Sequence, residues 1–285
     1  MPEGRLRTVG AEIFYRLQGD GPLLLFIQGG DGDAEGCAAV VEALAARYTV
    51  LTYDPRGLSR STVDRPPQDL RLEVHGDDAH ALLAALADGP AIVCGVSRGA
   101  LVGLDLAARH PKDVALLVVH EPPVTQLLPP DERERASADQ RAVETAALQA
   151  GPIAAMKQFA EALNLDFQDR EPGVDLPRPG PERLANLRFF LQHDAPAVRT
   201  YRLDIEALRR APARIVAGAG ETSAHVFTHR CAVELAKALG APLALFPGGH
   251  AGPTTHPRGF ARKLLDVLES GSASPGLRRG WPSRT

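Results

Sequence analysis

Short apolar runs recur through the first half of the chain: Leu23–Ile27 (LLLFI), Val50–Tyr53, Ala91–Cys94 and Val114–Val119. They do not alternate with polar residues, so each reads as a strand buried on both faces. Between them the spacing changes to that of a helix. Val41, Leu44, Ala45 and Tyr48 fall at i, i+3, i+4 and i+7, as do Ala79, Leu82, Leu83 and Leu86. Strands of this kind alternating with helices predict a mostly parallel sheet flanked by helices on both faces, an α/β fold. The rhythm resumes late, with a strand over Arg214–Ala217, a helix ending at Gly240, and a strand over Leu243–Phe246. A final helix has Pro257 near its start and carries Phe260, Leu264, Val267 and Leu268 on one face. Ahead of the first buried run, Leu6–Leu17 reads as an antiparallel hairpin at the sheet edge.

Two segments depart from that rhythm. From Pro122 to about Ala211 no strand is legible, and helices are expected near Asp131–Ala150, Ile153–Leu163, Pro181–Gln192 and Ala195–Arg209. A proline-rich connection, Glu171 to Pro181, divides them. The expected organisation is a core of residues 1–121 and 212–270, an inserted helical cap over 122–211, and a tail. The tail, 271–285, is poor in apolar residues and is expected to be disordered.

Composition narrows the possibilities without naming a function. The chain has 285 residues, 44% hydrophobic and 24% charged, with a net charge of −3. No run approaches the roughly 20 apolar residues of a membrane-spanning helix, and Met1–Arg7 lacks the apolar stretch of a secretory signal. The charge balance argues against a broad nucleic-acid surface. Cys37, Cys94 and Cys231 fit neither a zinc pattern nor a disulfide framework, so a reducing cytoplasm is the expected setting.

The sharpest chemical signal is Gly95-Val96-Ser97-Arg98-Gly99, which follows a strand and opens a helix. A tight strand-to-helix turn exposes a serine oxygen, and flanking glycines relieve crowding where no side chain fits. The pentapeptide alone is a weak pattern; its position makes Ser97 a candidate nucleophile. A serine needs a base, and the base an orienting acid. Of nine histidines, His250 follows the last strand in Pro247-Gly248-Gly249-His250, on the edge where Ser97 lies. His120, at the end of a strand, is expected to be a buried hydrogen-bonded residue. His256 belongs to the start of the last helix.

With these blocks in hand, the chain resembles the α/β-hydrolase fold family over roughly Leu6–Ser270, most closely bacterial esterase-, lipase- and haloperoxidase-like members with a helical cap. Four blocks carry the likeness: Gln28-Gly29-Gly30, the stretch Tyr53-Asp54-Pro55-Arg56-Gly57-Leu58-Ser59-Arg60-Ser61, the serine turn, and the Gly-Gly-His loop. The resemblance implies the order nucleophile, acid, histidine. It places the acid at Glu221, in Gly218-Ala219-Gly220-Glu221, with Glu121 as the alternative after the preceding strand. It also implies an oxyanion hole made by the backbone N–H groups of Gly30 and Arg98. Gln28 stands where the family usually has histidine.

The implied activity is cofactor-free and metal-free hydrolysis of a carboxylic ester, lactone or thioester of a moderately apolar small molecule. A perhydrolase or haloperoxidase reaction, C–C hydrolysis, or non-catalytic small-molecule binding stay open beside it, because one fold hosts many chemistries. Asp54 and Arg56 read as parts of a structural turn. Asp31 and Asp33 lack the spacing of a calcium loop, and Gly29-Gly30-Asp31-Gly32 lacks the ending of a phosphate loop. Cys94 reads as core. The Arg98 side chain could meet an anionic substrate or pair with a surface carboxylate, the second being the expected role.

Overall fold

In the computed structural model, which describes residues 2–65, 67, 70–176 and 180–270, the apolar runs assemble into one sheet. Its strands are β1 (Glu3–Thr8), β2 (Ala11–Gln18), β3 (Leu23–Ile27), β4 (Thr49–Tyr53), β5 (Thr62–Val63), β6 (Ala91–Val96), β7 (Val114–His120), β8 (Arg214–Gly220) and β9 (Leu243–Phe246). The helices are α1 (Ala38–Ala45), α2 (Leu72–Leu86), α3 (Arg98–Arg109), α4 (Pro130–Ala150), α5 (Pro152–Ala162), α6 (Pro181–Phe189), α7 (Ala195–Thr200), α8 (Ile205–Arg210), α9 (Phe227–Leu239), α10 (Gly252–Thr255) and α11 (Pro257–Ser270). The strand order is β1-β2-β4-β3-β6-β7-β8-β9, with the two-residue β5 against β2. The hairpin β1–β2 and the β2–β4 pair are antiparallel, while β4-β3-β6-β7-β8-β9 are parallel.

The two-residue period of a strand divides the core. Leu23, Leu25 and Ile27 of β3 join one apolar cluster with Leu117 and Val119 of β7; Leu24 and Phe26 join the other with Leu116 and Val118. Helices α2, α3 and α8 cover the first face, and α1 and α11 the second. Phe260, Leu264, Val267 and Leu268 are buried as their spacing predicts. Because the central strands run one way, the loops after β3, β6, β7, β8 and β9 gather on one edge of the sheet, the usual place for a ligand in an open α/β sheet.

Between β7 and β8 the described residues form helices joined by loops, the longest running from Leu163 to Gly180, and add no strand. One boundary differs. The helix expected over Ala195–Arg209 is two, α7 and α8, because Tyr201 leaves helical geometry and Asp204 caps α8 by accepting from the Ala207 amide at 2.9 Å. Long-range bonds fix the break: Tyr201 Oη donates to Asp105 Oδ1 at 2.9 Å, and the Leu203 amide donates to Gln126 Oε1 at 2.7 Å. The tail 271–285 lies outside the described residues. Among the described residues no helix is long and apolar enough to cross a membrane. Cys94 is fully buried, and burial raises its thiol, as befits core rather than a reactive group.

Asp54 and Arg56 do not pair with each other. Asp54 accepts from the Ala34 amide and from Arg60, tying the loop after β3 to the loop after β4. Arg56 forks onto Asp78 of α2 through Nε and Nη2, both at 2.7 Å, with side chains 7% and 1% exposed. This bidentate pair locks the β4 loop against α2. Replacing Asp78 by alanine leaves a buried guanidinium without its counter-charge. We expect a loss of about 3–5 kcal/mol in urea unfolding; a loss below about 1 kcal/mol would show that the pair does not carry this loop.

Candidate active site

Strand β6 runs directly into Ser97, whose backbone takes φ 51° and ψ −117°, and α3 begins at the next residue. A non-glycine residue at positive φ is strained by about 1–3 kcal/mol, so the surroundings must hold it. The glycines do so by admitting backbone. A Cβ on Gly95 would lie 2.3 Å from the Gly99 carbonyl oxygen, and one on Gly99 would lie 2.3 Å from that of Ile27. The Ser97 amide donates to the His120 carbonyl at 2.9 Å, fastening the turn to β7.

The sheet edge brings a base and an acid to this serine. His250, in the turn after β9, has Nε2 3.2 Å from Ser97 Oγ and Nδ1 2.8 Å from Glu121 Oε2. Glu121 follows the last residue of β7 and also has positive φ, 46°. Its carboxylate is fully buried and accepts four donors. Oε1 takes the Gly220 amide at 2.9 Å and the Ser223 hydroxyl; Oε2 takes the Thr228 hydroxyl at 2.7 Å and His250. The Thr228 oxygen lies 3.1 Å from His250 Nδ1 as well, bracing the ring.

The acid facing His250 is therefore Glu121, and the expectation favouring Glu221 is corrected. Glu221 is exposed, and its amide is committed to the Phe246 carbonyl at 2.9 Å. The reason lies in strand order. β7 adjoins the serine strand, whereas β8 is one strand further out, and the Gly220–Glu221 turn directs its amide, not its side chain, toward the buried carboxylate.

Burial by itself would raise the Glu121 carboxyl. The hydrogen bond and charge of His250, helped by His120 and Ser223, outweigh it and hold the group well below the usual carboxylate range. His120 goes the other way: burial lowers it to about 4, so at neutral pH it is uncharged. Its Nε2 lies 3.3 Å from the Gly249 carbonyl, a structural role in the core as expected.

Gly30 and Arg98 flank Ser97, and neither amide has an acceptor among the described residues. Gly29 packs so closely that a Cβ there would lie 3.1 Å from the Ser97 Cβ. Gln28 orders this loop with a bond from Nε2 to the Gly36 carbonyl at 2.5 Å. Asp33 does the same from within, accepting from the Glu35 and Gly36 amides and from Ser59. Asp31 pairs with Arg183.

The Arg98 side chain finds a carboxylate, but a buried one. Nη1 donates to Asp194 Oδ2 at 2.7 Å, and His75 Nε2 of α2 lies 3.0 Å from Asp194 Oδ1. All three side chains are about 2% exposed or less. Burial opposes ionisation of Asp194, while His75 and Arg98 outweigh it and lower its carboxyl. Asp194 closes a π-turn over Phe190–Asp194. The contact therefore joins the helical segment between β7 and β8 to the residue after the serine.

A cavity of about 990 Å³ opens above Ser97, Arg98 and His250. Its far wall comes from the segment between β7 and β8, with Met156, Phe159, Leu163, Leu187, Phe190 and Leu191. Phe189 does not belong to that wall; it packs against Gly57, where a Cβ would meet the ring at 2.2 Å. Leu187 and Leu191 serve both the cavity and a small apolar cluster within the segment.

Sequence reasoning missed Ser223, Thr228, His75 and Asp194. Thr228 left a trace: it lies on the same helical stripe as the buried Cys231, Ala232 and Leu235, a polar residue on an apolar face.

Comparison with known proteins identifies the family of the chain. Residues 22–209 match the family model for the alpha/beta hydrolase fold. The chain is 37% identical over 270 residues to the uncharacterized hydrolase YraK of Bacillus subtilis (strain 168), covering 93% of this chain and 96% of that one. A hydrolase from Pseudomonas aeruginosa PA01 superposes with a TM-score of 0.68 at 26% identity, over 93% of this chain and 98% of that one. The enol-lactonase from Burkholderia xenovorans LB400 shares the fold at 20% identity, with a TM-score of 0.63 over 93% of this chain and 100% of that one.

The depressed Glu121 carboxyl has a pH signature. A lowered folded-state pKa adds stability above the unfolded carboxyl value, about 4.3, and loses it as pH falls toward the folded value. Glu121→Gln should therefore be destabilised relative to wild type at pH 7, with the gap narrowing from about pH 4 downward. Denaturant titrations at several pH values test this; a gap constant from neutral pH into that acid range would mean that Glu121 is not held as the anion.

Proposed function

Because the chain belongs to the α/β-hydrolase family, we propose that this hydrolase cleaves a carboxylic ester, lactone or thioester of a moderately apolar small molecule through an acyl-enzyme on Ser97. The observation that carries the reading is the unbroken line Ser97 Oγ–His250 Nε2, His250 Nδ1–Glu121 Oε2, at 3.2 and 2.8 Å, beneath a largely apolar cavity.

In this reading Ser97 Oγ attacks the substrate carbonyl carbon and His250 Nε2 takes its proton. The buried Glu121 carboxylate holds the imidazole with Nε2 toward the serine and stabilises the imidazolium that forms. The Gly30 and Arg98 amides donate to the developing oxyanion, aided by the N-terminal end of α3. His250 returns the proton to the leaving oxygen or sulfur as the carbonyl–heteroatom bond breaks. Water, deprotonated by the same histidine, then attacks the acyl carbon and releases the acid and Ser97. No cofactor enters these steps. Residues 122–211 act as a cap that supplies the cavity wall and so selects the acyl or alcohol group. The arginines on the cavity wall, Arg98, Arg183 and Arg258, are engaged by Asp194, Asp31 and Glu171, which argues against an anionic substrate group there.

Incubation with a fluorophosphonate followed by intact-mass measurement should give one adduct on the native chain and none on Ser97→Ala. On short-chain p-nitrophenyl esters, Glu121→Gln should lower kcat by on the order of 10³ to 10⁴, as loss of the orienting acid does elsewhere, while Glu221→Gln stays within about twofold. A native chain that is folded yet takes no adduct and binds a small molecule reversibly would favour the non-catalytic alternative.

A further inference from the structure

Far from the serine, the protein gathers a second set of polar side chains that the proposed chemistry does not use. The serine turn is at the start of α3. His110 caps its other end, 12 residues later, which at 1.5 Å per residue is about 18 Å along the axis. There His110 meets His80 of α2 and Asp113 of the turn before β7. His80 Nδ1 is 2.5 Å from Asp113 Oδ2, and the His80 and His110 rings stack at 3.9 Å with 9° between their planes. One nitrogen or oxygen from each residue lies within 4.8 Å of the other two.

The backbone under these donors is fixed. The His110 amide donates to Leu106 at 2.7 Å, the Asp113 amide to His110 at 3.0 Å, and the Asp113 carbonyl accepts from Ala91 at 2.7 Å. Each side chain is partly exposed, so an ion can reach the group and water can complete its coordination. Asp77 approaches from the far side, 3.5 Å from His110 Nε2, but its carboxylate is already engaged by Arg109 at 2.6 Å.

We propose that His80, His110 and Asp113 form a surface site for a divalent transition-metal ion of the zinc type, with water in the remaining position. Two imidazoles and a carboxylate suit zinc and its neighbours, whereas magnesium and calcium prefer oxygen ligands alone. Zinc holds such donors at about 2.0–2.2 Å, which sets neighbouring ligand atoms roughly 3.3 Å apart in a tetrahedron. The widest pair, up to 4.8 Å apart, must therefore close by about 1.5 Å, while His80 Nδ1 and Asp113 Oδ2, now 2.5 Å apart, open to that spacing. Two parallel rings cannot both contain one ion in their planes, so the His110 ring turns about its Cβ–Cγ bond out of the stack. The ion takes the place of the proton now shared between His80 Nδ1 and Asp113; that proton goes to solvent while His80 Nε2 carries one, so the ring binds as the neutral tautomer. The site braces the middle of α2 against the C-terminal end of α3 and lies outside the acyl chemistry.

Calorimetric titration of the full chain with zinc chloride tests the site, with magnesium chloride as the comparison. Expected is saturable one-to-one binding of zinc, none of magnesium, and a higher melting temperature with zinc. His80→Ala/His110→Ala should weaken zinc binding at least tenfold and abolish the melting shift, with the rate of fluorophosphonate labelling unchanged. Single His80→Gln and His110→Gln variants give the same reading should the double variant fold poorly. Absence of saturable zinc binding by the native chain, or unaltered binding by the variants, overturns the proposal.

Discussion

A carboxylate with no exposure to water, Glu121, is the group around which this site is organised. A buried charge is costly unless its environment supplies charge-assisted donors in its place. Here the donors come from separate parts of the chain: the end of β8, the turn after it, the first turn of α9, and the loop beyond β9. Satisfying one anion therefore draws four elements together, and the same convergence aims the imidazole of His250 at Ser97. The stability of the sheet edge and the placement of the base are two results of one arrangement.

Ser97 depends on a different constraint, close backbone approach. Its strained turn persists because Gly95 and Gly99 let α3 and β3 come within contact of β6. The residue after the serine extends that order outward, since Arg98 reaches through Asp194 to His75. A buried pair of this kind is weak evidence of stability, because desolvation offsets much of the attraction. Its value here is positional: it fixes the helical segment above the cavity relative to the turn below. In the proposed hydrolysis, enclosing the cavity with apolar side chains would lower the local dielectric and strengthen the interaction of backbone donors with a developing oxyanion.

The strands and flanking helices were legible because apolar period is a direct record of burial. Leu23–Ile27, buried at all five positions, could only be a strand covered on both faces. Ser97 and His250 were legible because their glycine-rich turns carry the geometry in local sequence. The acid was not. Glu121 and Glu221 each follow a parallel strand, and choosing between them requires knowing which strand lies beside β6 and where each side chain points. Neither the positive φ at Glu121 nor the donors from Ser223 and Thr228 are written near it in sequence. The Arg98 partner was hidden for the same reason, as Asp194 is 96 positions away. The split between α7 and α8 had a local sign, the capping Asp204, which continuous helical period obscured.

The most direct test of the central claim is the proton spectrum of the imidazole in the folded chain. An Nδ1–H shared with a buried carboxylate resonates far downfield of ordinary amides. The account places that resonance in the native protein and in Glu221→Gln, and removes it in Glu121→Gln. A resonance that survives Glu121→Gln and vanishes in Glu221→Gln would contradict it.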